Sequence, residues 1–195
     1  MPALDDSALR QLFTEARSRF HFTDQGVPQT QLEAIWDLVK FGPTSANLLP
    51  ARLIWLTTQR AKDRLVALAS DGNKDKIRDA PVTAIVGMDM EFYELAPELF
   101  PIADAKSWFV GNEQSISATA FRNSSLQGGY LIMAIRALGL DAYAMSGFDN
   151  AGVDAEFFAG TSIKSNFICS LGYGDRTKDF PRLPRPDFDR FNTVL

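Results

Sequence analysis

Phe41-Gly42-Pro43-Thr44-Ser45-Ala46-Asn47-Leu48-Leu49-Pro50-Ala51-Arg52 closes one periodic pattern and leads into another. Upstream, Leu32, Ile35, Trp36 and Val39 recur at the spacing of an amphipathic helix. Thr30 and Glu33 form a capping-box pattern at its start, and Gly42-Pro43 marks its end. Downstream, residues 52–57 (Arg-Leu-Ile-Trp-Leu-Thr) read as a strand. Pro43 and Pro50 fix φ and donate no backbone N–H, so the loop between helix and strand is stiff. Thr44, Ser45 and Asn47 carry short donors and acceptors that lose little rotamer entropy when they hold a ligand. Such a loop suits a planar, heteroatom-rich ring; taken alone, it reads first as a helix C-cap followed by a polar turn.

Towards the N-terminus, Leu9, Leu12, Phe13, Ala16 and Phe20 mark an amphipathic first helix starting near Asp5 or Ser7. Beyond the strand at 52–57, residues 59–69 read as a helix. A polar turn at 70–73 leads to a short helix and then to an apolar strand at 82–88. Residues 91–100 read as helix and 101–111 as an irregular, aromatic-bearing loop. The longest helical pattern runs from Ser115 to Leu138, although Gly128-Gly129 in its middle costs about 1 kcal/mol each against alanine. Strands are expected at 141–145 and 165–173 with a short helix near 151–158 between them, and the tail from Gly174 reads as an extended arm. Four strands separated by helices, without internal repeats, point to one α+β or α/β domain spanning 1–195.

The 195 residues are 46% hydrophobic and 23% charged with a net charge of −4, ordinary for a globular protein and without the basic footprint of nucleic-acid binding. Cys169 is the only cysteine and lies in an apolar, strand-like run, which predicts a buried structural thiol and fits a reducing cytoplasm. His21 is the only histidine, which removes most support for a clustered zinc site or a Ser-His-Asp triad. No basic flank precedes an apolar core at the N-terminus, and the apolar run at 130–140 is interrupted by Arg136. A soluble cytoplasmic protein without membrane contact is expected. Rossmann and Walker glycine patterns are both absent, so a nucleotide cofactor must be held in another way.

Six segments in register resemble the nitroreductase family of FMN-dependent oxidoreductases. They are Phe-Thr-Glu-Ala-Arg at 13–17, Gly-Pro-Thr-Ser-Ala-Asn at 42–47 and Ala-Pro-Val-Thr-Ala-Ile-Val at 80–86, followed by Phe-Arg-Asn-Ser-Ser at 121–125, Met-Ser-Gly-Phe-Asp at 145–149 and Leu-Gly-Tyr-Gly-Asp at 171–175. The likeness is greatest to the malonic semialdehyde reductase (3-hydroxypropionate dehydrogenase) subgroup of pyrimidine degradation. It implies a three-layer fold with a central mixed sheet of four to five strands flanked by helices, and an extended C-terminal arm. A homodimer with two FMN sites, each completed by both subunits, is implied as well.

The same resemblance implies the residues of the site. Arg17, Ser18 and Arg19 stand where the family meets the flavin phosphate and pyrimidine edge, and arginine's planar fork suits that phosphate. Pro43, Thr44, Ser45 and Asn47 match the segment that reaches over from the partner to line the ring; many relatives follow it with Gln-Pro-Trp, where this chain has Leu49-Pro50-Ala51. Asn73 and Lys76 match an Asn-x-x-Lys pair on the pyrimidine side. Ser146-Gly147 matches the place where backbone amides approach the ring, and Arg182 the basic residue that closes on the phosphate. Trp108 and Phe109 are candidates for a lid, and Arg122 for reading a substrate carboxylate. NADH or NADPH is expected to pass hydride through flavin N5 to a small aldehyde acid, with ping-pong kinetics. Reduction of nitro compounds or quinones, and flavin binding without turnover, are the alternatives.

Overall fold

The computed structural model describes residues 2–195. Its four strands are β1 (Ala51–Leu56), β2 (Val82–Asp89), β3 (Asp141–Met145) and β4 (Ile163–Gly172), in the spatial order β1-β2-β4-β3. Every strand pair is antiparallel. The parallel component of the expected mixed sheet is confined to one isolated bridge, Ser18 to Ala142, at the β3 edge. β2 and β4 are central, which explains why 82–86 is a continuous apolar run, with Thr83, buried, hydrogen-bonding Ser170 at 3.0 Å.

Helices cover both faces. Against one lie α2 (Gln29–Val39) and α6 (Glu113–Ala137), where Leu32, Ile35, Val39, Leu131 and Ile135 pack on Val82, Ala84, Val86 and Leu171. Against the other lie α3 (Gln59–Val66), α4 (Asp71–Arg78) and α7 (Asn150–Phe157), where Leu65, Ile77 and Val153 pack on Ile85 and Ile168. A third cluster around Phe92, Phe109 and Ile116 fills the end of the molecule beside α5 (Ala96–Leu99). Side chains of this size contribute about 1.5–3 kcal/mol each when fully buried. No helix among the described residues is long and apolar enough to cross a membrane.

Several expectations are corrected here. The first helix is α1 (Asp6–Leu9), continued by a wider π turn at Arg10–Thr14, and it stops well before Phe20. Residues beyond Thr14 run in extended fashion because they are drawn to the sheet edge at Ser18. The Thr30–Glu33 box does not start α2: Pro28 is the N-cap, and Glu33 instead accepts from Gln29 Nε2 at 2.9 Å. Residues 91–100 form a short 3-10 turn (Phe92–Leu95) followed by α5 rather than one helix. The tail folds a 3-10 turn at Arg176–Lys178 and a short α8 (Phe188–Phe191). Gly128 has an internal packing reason, because a Cβ there would meet the ring of Phe167 on β4, whereas nothing lies near Gly129.

Candidate functional site

The extended segment after α1 and the returning tail enclose a cleft of about 760 Å³. Its lining includes Arg17, Ser18, Arg19, Phe20, His21 and Arg136 from the body and Lys178, Asp179, Arg182 and Arg185 from the tail. The sequence places these two stretches more than 150 residues apart; backbone pairing joins them. Thr23 donates to Tyr173 O at 2.8 Å and Asp175 to His21 O at 2.9 Å, with a bridge between Phe22 and Gly174.

The three guanidiniums expected at the phosphate have different fates. Arg19 is fully engaged by acids: its Nε and Nη2 grip Asp179 at 2.7 and 2.5 Å, and Nη1 donates to Asp141 at 2.5 Å. The hydrogen bonds it donates to Asp179 hold the Arg19 guanidinium even more firmly protonated than usual, and Arg19 in turn holds Asp179 below the ordinary carboxylate range. Arg19 is therefore a structural clamp between strand edge and tail, not a free phosphate ligand. Arg182 is partly engaged, donating to Thr14 O at 2.5 Å and Ala16 O at 2.9 Å. Burial first, then the neighbouring charges of Arg17 and Arg185, lower its pKa. Arg17 is free: its Nε and Nη1 are buried and meet no hydrogen-bond acceptor. A buried N–H left without an acceptor costs about 1–3 kcal/mol, more when charged, so this guanidinium carries unmet hydrogen-bonding capacity.

Beside the cleft, Lys76 Nζ lies 5.0 Å from the Phe20 ring centroid and 4.9 Å from that of Tyr143, donating to the Tyr143 hydroxyl at 3.2 Å. Asn73 Nδ2 donates to Gly147 O at 3.0 Å, and Ser70 N does the same. A Cβ on Gly147 would stand 2.8 Å from Asn73 Nδ2 and 3.1 Å from Ser70 Oγ, so a larger residue would displace the Asn73 amide from this approach. Ser146-Gly147 at the end of β3, Asn73 and Lys76 on α4, and Phe20 on the cleft wall thus form one continuous surface.

The Pro43–Asn47 loop lies apart from this cleft, against the middle of α6. Ser45 N donates to Asn123 Oδ1 at 2.8 Å, Asn47 Nδ2 to Leu99 O at 2.9 Å, and Leu49 N to Thr44 Oγ1 at 3.1 Å. Between Pro43 and Pro50, Ala46 (φ 48°), Asn47 (φ 54°) and Leu49 (φ 41°) all occupy the left-handed region. Asparagine tolerates that region, but alanine and leucine each pay about 1–2 kcal/mol for it. Arg52 braces the loop by donating to Leu49 O at 2.8 Å and to Asp89 Oδ2 at 2.6 Å.

Three candidates are not brought to the cleft. Phe109 is only 5% exposed and packs on Phe92 with centroids 4.9 Å apart, so it is core and not a lid. Trp108 is exposed and stands edge-on to Phe100 at 6.0 Å. Arg122 is exposed on α6 beside Phe121 and Leu126. Arg185, a second basic candidate beside Arg182, also lines the cleft, and so do Lys178 and Arg136, which no local pattern singles out. Cys169 is buried, and desolvation pushes its thiol up to about 12, as suits a structural group.

These elements define a three-layer α+β protein with an arginine-lined cleft. A family model described as the nitroreductase family matches residues 14–174, and the chain belongs to that family. A Burkholderia lata protein provisionally named NADH dehydrogenase/NAD(P)H nitroreductase is 59% identical over 189 residues, covering 97% of each chain. Among solved structures, a Bacillus subtilis nitroreductase superposes with a TM-score of 0.89 at 20% identity, covering 98% of this chain and 100% of its own. One from Exiguobacterium sibiricum, solved in complex with FMN, superposes at 0.83 with 16% identity over 100% and 99%. Both share the fold.

Proposed function

We propose that this chain is a cytoplasmic FMN-dependent NAD(P)H oxidoreductase that reduces a small organic acceptor. The observation that carries the reading is Arg17, whose buried Nε and Nη1 lack any acceptor in a cleft large enough for a nucleotide's phosphate end. FMN, when bound, supplies the capacity to take hydride from NADH or NADPH and to deliver it to an acceptor.

The protein's part is placement and charge. Arg17, with Ser18 and Arg182 beside it, would hold the phosphate. Lys76, fixed between Phe20 and Tyr143, keeps a positive charge where the cofactor's pyrimidine edge would lie, and a fixed charge needs no reorganisation as negative charge develops. Asn73 and Gly147, joined to each other, would present a narrow polar ledge. Pro43, Thr44, Ser45 and Asn47 do not line the cleft of their own chain, so they would serve the cleft of a second copy in a homodimer. The exposed apolar side chains Phe41, Phe121, Leu126 and Tyr130 beside that loop fit such an association.

Two substrate readings stand within this chemistry. Malonic semialdehyde or a similar short aldehyde acid follows from the resemblance of the six sequence segments; a nitro compound follows from the names of the relatives, and a quinone from the same flavin chemistry. An absorption spectrum of the purified protein before and after anaerobic NADH and NADPH addition tests cofactor and redox competence together. A yellow protein bleached by either nucleotide is expected; a colourless protein that refuses added FMN overturns the reading, and yellow protein that neither nucleotide bleaches makes it a flavin-binding module. Rates on malonic semialdehyde and a nitroaromatic under identical conditions then decide between substrates.

A further inference from the structure

We propose that Arg136, at the C-terminal end of α6, is a second guanidinium that holds the phosphate monoester in this cleft alongside Arg17; the proposal rests on the cleft binding FMN. The charges lining the cleft do not cancel. Arg19 is matched by Asp141 and Asp179, and Lys178 lies 3.6 Å from Asp175. Among the described residues, Arg17, Arg136, Arg182 and Arg185 have no carboxylate within ion-pair distance.

Of these four, Arg182 donates to Thr14 O and Ala16 O, and Arg185 to Leu183 O and Pro184 O. Only Arg17 and Arg136 also hold buried N–H groups without an acceptor: Nε and Nη1 of Arg17, and Nε of Arg136. Arg136 Nη1 donates to Leu12 O at 3.0 Å, which fixes the guanidinium at the cleft wall. Burial and then Arg182 press its pKa down, with Asp141 opposing. A phosphate dianion supplies several acceptor oxygens at once and suits paired planar forks.

Arg136 also lines a neighbouring cavity of about 260 Å³ on the far side of the Ala16–Arg19 segment, with Arg10 and Arg176. Free phosphate held there is the other source of the same chemistry, and the experiment separates the two. Equilibrium dialysis of the purified protein and of Arg136→Met and Arg136→Lys against FMN and against riboflavin reads the phosphate contribution as the ratio of the two affinities. Arg136→Met is expected to weaken FMN about ten- to a hundredfold while riboflavin changes little, and Arg136→Lys to recover part of the loss. Equal weakening of both flavins, or an unchanged ratio in both variants, overturns the proposal. So does uptake of inorganic phosphate by the FMN-loaded protein that Arg136→Met abolishes. Should the unaltered protein bind neither flavin, the FMN reading itself fails, a result distinct from an altered variant.

Discussion

The arginine cleft lies at the C-terminal end of α6 and the Pro43–Asn47 loop against its middle, with Asn123 and Arg136 roughly 20 Å apart along its axis. They are prepared in opposite ways. In the cleft, charge is left unsatisfied: Arg17 and Arg136 keep buried N–H groups without acceptors. In the loop, Ser45, Asn47 and Leu49 find hydrogen bonds within the chain, and what is stored is backbone conformation, three residues with positive φ between two prolines. A site can thus be preorganised by withholding partners from charges or by supplying them to a strained backbone. The first device should respond to loss of charge, the second to loss of a brace.

The largest effect is expected from Arg17→Met. Removing the free guanidinium should weaken FMN by about 30- to 150-fold, or about 2–3 kcal/mol, and leave riboflavin almost untouched, as read by equilibrium dialysis. If riboflavin weakens equally, the cleft does not bind phosphate and the contrast fails. Next comes Asn123→Ala, which deprives Ser45 N–H of its acceptor and should lower stability by about 1–2 kcal/mol, with faster amide exchange confined to the loop. Exchange that accelerates throughout α6 instead would show that Asn123 supports the helix rather than the loop.

Ala46→Gly sharpens the strain argument. Glycine reaches φ 48° without a Cβ penalty but loses more entropy on folding, so stability should stay within about 1 kcal/mol of the parent in thermal melts. Ala46→Val should fall well below both. The smallest effect concerns acid. Asp179 is held below the ordinary carboxylate range by Arg19, so its contribution is complete above about pH 4 and disappears as pH falls through the depressed value. Limited proteolysis should show the tail loosening in that acid window, and Asp179→Asn should show it loosened already at neutral pH, with no further acid response.

Much of this architecture was legible in residue order. The strand at 141–145 agrees at both ends with β3, and the helix pattern at 115–138 lies within about two residues of α6, although the buried face of α6 includes Asn123, Ser124 and Gln127. The first helix was overextended because Ala16 and Phe20 continue its spacing, yet the pull of the β3 edge on Ser18 outweighs local propensity. Trp108 and Phe109 are neighbours in one aromatic loop, and nothing local told which would be core. The contact with Phe92 decides it.

By itself, the order of residues determined the alternation of helices and strands, the stiffness of the Pro43–Pro50 loop and the presence of basic residues near both ends. These are local properties, set by side-chain period, ring-fixed φ and charge. Only the tertiary structure decided which arginines are free. Arg17 and Arg19 are two positions apart and chemically identical, but Asp141 and Asp179 arrive from distant parts of the chain to neutralise one of them. An arginine's availability depends on what folds beside it, and that is not written in its neighbours.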